Sequence, residues 1–191
     1  MKKLGDFKTL EFRSGIATSR IEVKKDDDIK KEVRVAYPVS LKNGFVDLNT
    51  TKEIKCKTEI DEKKLTREGD IILSASMPYN AAYITKETSG LFVPSFCLLI
   101  RIKNSLEIDA KFLTAFINSD NFKEQAKELV SKTTTPMLSV SRLKEVQIPV
   151  FDIEKQREIS LYCENVQKEE IIMKHIIDLE KEKLNVVLGG I

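Results

Sequence analysis

The chain has one histidine, three cysteines and no two glycines in GxG spacing, and these scarcities exclude most enzyme chemistries before any fold is considered. Cys56, Cys97 and Cys163 are odd in number and far apart, with no CxxC spacing and no histidine nearby. Neither a disulfide framework nor a zinc site is indicated, and a reducing cytosol suits them. His175 lies between Lys174 and Ile176 with no nucleophile or carboxylate constellation around it, so a surface or interface position is expected. There is no GK[ST] loop for nucleotide hydrolysis. No apolar run approaches the roughly 18 residues of a membrane span, and Met1-Lys2-Lys3 leads into Leu4-Gly5-Asp6 instead of a signal-like stretch. The sequence predicts a cytoplasmic protein, neither exported nor anchored.

Two motifs invite a catalytic reading and fail it. Ser76-Met77-Pro78-Tyr79 is one residue away from the Ser/Asp/Asn-Pro-Pro-Tyr signature by which N6-adenine methyltransferases hold a flipped base. Here Met77 replaces the first proline, and without GxG spacing no methyl-donor loop is recognisable. Glu53-Ile54-Lys55 with Asp47 upstream imitates a nuclease triplet. No Pro-Asp pair precedes it, and such triplets arise readily in a chain rich in Lys and Glu. The reading is therefore of a chain that is not an enzyme and binds neither metal nor cofactor itself.

Charge is abundant, at 32% of 191 residues, yet nearly balanced at +2. Its distribution is uneven. Residues 1–60 hold 14 Lys+Arg against 10 Asp+Glu, residues 61–150 hold 12 against 11, and residues 151–191 hold 6 against 9. A basic excess towards the N-terminus and an acidic excess at the other end are compatible with nucleic-acid contact by the first part of the chain.

The patterning predicts an α+β protein: a strand-rich domain over 1–150 followed by a long coiled-coil-type helix over 151–191. Leu4–Phe12 opens the domain. Val33–Tyr37 is a β-branched run stopped by Pro38, and Lys42-Asn43-Gly44 supplies a turn before a strand at Phe45–Leu48. Asp70–Ser74 is too apolar for a strand exposed on both faces. Ala82–Ile84 and Leu91–Val93 read as short strands, and Cys97–Ile102 as a central one. Asp109 caps a helix carrying Phe112, Leu113, Phe116 and Ile117, a second helix covers Asn121–Leu129, and Ser131–Pro136 is a polar loop. Ser139 or Ser141 caps a short turn, and Glu145–Ile148 is a strand entering Pro149. Beyond Ile153, apolar residues recur at steps of four and three: Ile159, Cys163, Val166, Met173, Ile177, Leu184 and Val187, interrupted at Glu170 and Glu180. A second line through Ile172, Ile176 and Leu179 widens the stripe, so this helix is expected to meet more than one surface. A helix from near Glu154 to Leu188 would reach roughly 50 Å, longer than a domain of this size needs.

The segment Leu138–Ile159, LSVSRLKEVQIPVFDIEKQREI, in which a strand ends in Ile-Pro and a helix opens with Glu154, Gln156 and Ile159, resembles the IPxPxxxEQxxI element of the specificity subunits of type I restriction-modification enzymes. Lys3-Leu4-Gly5-Asp6 with Ser14-Gly15, Tyr37–Gly44, Leu65–Leu73 (LTREGDIIL, similar to LxxGDIL) and Pro94-Ser95 extend the likeness in order along the chain. The resemblance implies a target-recognition domain that binds double-stranded DNA, joined to a spacer helix. It also implies partners: a modification subunit that transfers methyl groups from S-adenosylmethionine to adenine, and an endonuclease subunit. Family members usually carry two such domains and two antiparallel helices, so this chain looks like a half-subunit whose helix would pair with a second copy through Ile159, Cys163, Val166, Met173, Ile176, Ile177, Leu184 and Val187. Two identical domains about a two-fold axis would read an interrupted palindrome. From side-chain chemistry alone, the expected DNA contacts are Ser74, Ser76, Tyr79 and Asn80 after the GDIIL strand, Lys132, Thr133, Thr134 and Thr135 in the polar loop, and Arg34 and Lys42. The alternatives are an interaction module that pairs with another specificity subunit to inhibit or retarget it, and an inactive remnant.

Overall fold

In a computed structural model, which describes residues 1–23, 29–131 and 136–189, the core is a four-stranded antiparallel sheet. Its strands are β2 (Leu10–Ser14), β5 (Ile71–Ser74), β6 (Ala81–Tyr83) and β7 (Cys97–Ile102), in spatial order β2-β7-β5-β6. Two-residue strands β1 (Lys2–Lys3) and β8 (Gln147–Ile148) pair with each other, and β3 (Lys31–Val35) pairs with β4 (Lys52–Cys56). The helices are α1 (Ala110–Asn118), α2 (Asp120–Ser131), α3 (Val140–Leu143) and α4 (Ile153–Gly189). Among them, none is long and apolar enough to cross a membrane.

The continuous apolar runs of β5 and β7 follow from burial on both faces. Ile71 and Leu73 of β5, with Leu98 and Ile100 of β7, face the larger cluster, where Phe112, Leu113, Phe116 and Ile117 of α1 and Phe122 and Ala126 of α2 close over the sheet. Ile72, Cys97 and Leu99 face the other way into Ala36, Leu41, Val46, Leu91 and Val93. Burial pushes the Cys97 thiol up to about 12, which leaves it a neutral core residue at physiological pH. β7 is flanked by β2 and β5, as a central strand should be.

Several elements differ from the sequence expectation. Lys52–Cys56, where a nuclease triplet could be forced, is a strand: Val33 faces Ile54 and Lys31 faces Cys56 across β3 and β4. Asp47 is occupied locally, its side chain accepting the Asn49 N–H. Phe45–Leu48 is not a strand; a single bridge joins Leu41 to Val46, and a 3-10 turn follows at Leu48–Thr50. Leu91–Val93 likewise forms isolated bridges, with Phe92 bridging both Val35 and Leu65 and joining a third cluster with Val33, Val35, Ile54 and Cys56 of the β3–β4 ribbon. Gly15 runs so close to the Pro94 carbonyl that a Cβ there would sit 1.9 Å from its oxygen, which admits only glycine.

Asp109 caps α1 by accepting the Phe112 N–H at 2.8 Å, and Ser139 caps α3 by accepting that of Arg142. β8 ends at Pro149, and Asp152 accepts the Lys155 N–H to start α4. Over 37 residues α4 is about 55 Å long. Its first turns lie against α1, with Ile159 packed on the larger cluster, whereas every described residue from Lys168 onward is exposed.

Candidate nucleic-acid interface

The end of the sheet where β5 finishes and β7 begins carries a tight turn, Ser74–Asn80, held by its own polar groups. The Ser74 hydroxyl donates to the Ser76 carbonyl at 2.9 Å, the Tyr79 N–H returns to the same carbonyl, and the Ser74 N–H bonds the Asn80 carbonyl. Met77-Pro78 is a cis peptide, and Tyr79 has a φ of 58°. The Asn80 amide donates to the Leu41 carbonyl at 3.2 Å and so ties this turn to the Leu41–Val46 hairpin.

Two of the expected contact residues are buried in this arrangement. Tyr79 is 2% exposed because its ring enters the larger apolar cluster, where burial raises its phenol pKa. Ser74 is also 2% exposed, its hydroxyl spent within the turn. Both residues shape the turn from inside. The side chains it presents outward are Met77, 64% exposed, and Pro78, which a search for polar contact residues passes over. Val39 and Phe96 are similarly exposed, and the Phe96 carbonyl accepts the Ala75 N–H, so this end of the sheet is apolar as well as polar.

Three of the expected residues do come together. Lys42, Ser74 and Asn80, with Pro38, Val39, Leu41, Met77 and Pro78, line a cleft of about 290 Å³. The Lys42 ammonium donates to the Val39 carbonyl at 3.0 Å, which holds the cation at the rim. Ser76 is half-buried beside it. Arg34 stands apart on β3, exposed and ion-paired with Glu53 at 2.9 Å. Lys132, Thr133, Thr134 and Thr135 lie outside the described residues. Just after them, Leu138 donates its N–H to the Ala75 carbonyl at 2.7 Å, and Met137, Leu138 and Ser139 line a second cleft of about 410 Å³ with Ser14, Ala75, Ser95 and Leu98. No group of three or more metal-ligating side chains is assembled among the described residues.

The expected pairing residues divide along α4. Ile159, Cys163 and Val166 are half-buried near the domain, whereas Met173, Ile176, Ile177, Leu184 and Val187 are 47–62% exposed. Large apolar side chains therefore stand exposed over several turns of α4.

The model of the type I restriction modification DNA specificity domain matches residues 1–182. Among solved structures, the chain is similar to one from a study of complex assembly and conformational transition of the type I restriction-modification system. The identity there is 16% and the TM-score 0.65, over 97% of this chain and 42% of that one. It is also similar to the HsdS subunit from Thermoanaerobacter tengcongensis, at 17% identity and TM-score 0.62 over 89% and 45%. The type I restriction-modification S subunit from M. genitalium follows at 19% and 0.53, over 93% and 41%. The chain thus spans less than half the length of these structures. No curated protein matches.

Proposed function

The chain belongs to the family of type I restriction-modification DNA specificity domains, and from that premise we propose that it is a DNA-recognition subunit, itself without bond chemistry, that directs partner subunits to a sequence. Residues 1–150 serve as the recognition domain, with the Lys42–Asn80 cleft and the neighbouring Met77 turn as its DNA-facing edge. Residues 151–191 serve as the spacer. The partners are a modification subunit, which supplies S-adenosylmethionine and methylates adenine, and an endonuclease subunit.

One observation carries the pairing part of this reading: the apolar seam of α4 is exposed from Met173 onward and its sequence is self-complementary. In an antiparallel pair with its two-fold axis level with His175, Cys163 is opposite Val187, Val166 opposite Leu184 and Met173 opposite Ile177. Only the Glu170–Glu180 layer is charged. Two copies joined this way hold two identical domains apart by C2 symmetry, and such a pair reads an interrupted palindrome. A helix of about 55 Å spans on the order of 15 base pairs at about 3.4 Å each.

The test is to co-express the chain with the modification subunit from its own locus and map N6-methyladenine across the host genome. A gapped motif is expected, with symmetric halves if two copies pair. Absence of new methylation, with both proteins soluble and associated, would sink the reading.

A further inference from the structure

The only fully buried side chains of α4 among the described residues are polar: Gln156, 3% exposed, and Ser160, 5% exposed. The Gln156 amide is saturated across the joint with the domain. Its Nε2 donates to the Phe151 and Glu107 carbonyls at 2.9 and 3.2 Å, and its Oε1 accepts the Asp109 N–H at 2.9 Å. The Ser160 hydroxyl lies 2.8 Å from Asp109 Oδ1, the same oxygen that caps α1, and 2.8 Å from the Gln156 carbonyl. One carboxylate therefore fixes the start of α1 and the bearing of α4. Further along, Lys111 of α1 pairs with Glu164 at 2.7 Å, which raises the lysine's pKa. At Gly44, whose φ is 97°, a Cβ would approach Gln167 Oε1 to 2.7 Å.

Apolar contact is non-directional and tolerates sliding, whereas hydrogen bonds weaken steeply with angle. Turning or tilting α4 would leave the buried Gln156 amide unsatisfied, at about 1–3 kcal/mol per orphaned group. We propose that Asp109, Gln156 and Ser160 form an angle-setting joint, positioning residues that fix the direction in which the rod leaves the domain and thereby the number of base pairs between half-sites. The second clause rests on the paired arrangement proposed above; the first does not. A domain of about 150 residues has a radius of about 15 Å, so a tilt of about 10° at each of two joints shifts the DNA-facing edges relative to each other by about 5 Å along the rod, more than the roughly 3.4 Å rise of one base pair.

The experiment places spin labels at Lys86→Cys on the domain and Lys181→Cys on the rod, in a Cys163→Ala background, diluted with unlabelled chain so that only intrachain distances are read. A single narrow distance distribution is expected, lost in Gln156→Leu and in the milder Ser160→Ala, and restored in Ser160→Thr, which keeps the hydroxyl. A broad distribution in the parent, or an unchanged one in folded Gln156→Leu and Ser160→Ala, overturns the joint. In the methylation map the same two variants should keep the half-site sequences and give a shifted or mixed gap; an unchanged gap overturns the spacing role. If the parent chain gives no gapped motif, the proposed function fails, while the label distances still decide the joint.

Discussion

Asp70 shows at the scale of a single residue how a motif serves the fold. It is the aspartate of LTREGDIIL and is 2% exposed. Its Oδ1 and Oδ2 accept Arg101 Nε and Nη2 at 2.8 and 2.6 Å, and Oδ2 also takes the Arg67 N–H. Arg101 Nη2 continues to the Leu65 carbonyl, so the pair ties the approach to β5 onto β7, and the carboxylate raises the arginine's pKa. Arg101→Met should cost about 3–5 kcal/mol in urea unfolding followed by circular dichroism, because it strands a buried carboxylate. An unchanged midpoint would show that Asp70 finds water instead. The caps at Asp109 and Ser139 were legible in the sequence because a cap is satisfied within three residues. Ser74 and Tyr79 were not: Tyr79 is buried by a cluster that α1 and α2 complete, and Ser74 lies on the opposite face of β5, beside Leu41, with its hydroxyl turned back to Ser76.

Among the elements, legibility tracks how much of the signal is local. β5 and β7 announce themselves as apolar runs, and α1 by its stripe. β4, Lys-Glu-Ile-Lys-Cys, reads as a charged stretch until β3 is placed beside it, because a ribbon with one wet face needs only Ile54 and Cys56 inward. The long helix is legible for a different reason: a sustained four-three repeat has few other uses. Its division into a docked beginning and a free remainder is not, because the docking residues are polar: Gln156 continues the seam one step before Ile159, and Ser160 lies beside it. Ile177→Asp, at an exposed seam position, should convert a paired rod to single chains in light scattering while leaving the domain's unfolding midpoint unchanged. A dimer that survives this change would place the pairing elsewhere.

For the whole molecule, DNA affinity should depend steeply on salt, since phosphate neutralisation releases counterions at a slope of about −0.9 per contact. Lys42→Ala, at the cleft rim, should weaken binding to all sequences and flatten that slope by about one contact. Met77→Ala, which carries no charge, should leave the slope alone and relax sequence preference if the Met77 turn meets base edges. Equal slopes for the parent chain and Lys42→Ala, measured by titration over a range of potassium chloride, would remove Lys42 from the interface.

The sequence by itself determined the class of fold, the main strands and helices, the junction at Pro149 and the existence of an apolar seam, all of which rest on periodicity and caps acting over a few residues. Only the tertiary structure decided which polar residues near the GDIIL strand face outward, that a charged pentapeptide is a strand, and how the rod is bolted to the domain. Those outcomes depend on groups far apart in the chain, such as Asn80 with Leu41 and Gln156 with Asp109, meeting at hydrogen-bonding distance. Periodicity within a short window carries no information about such meetings.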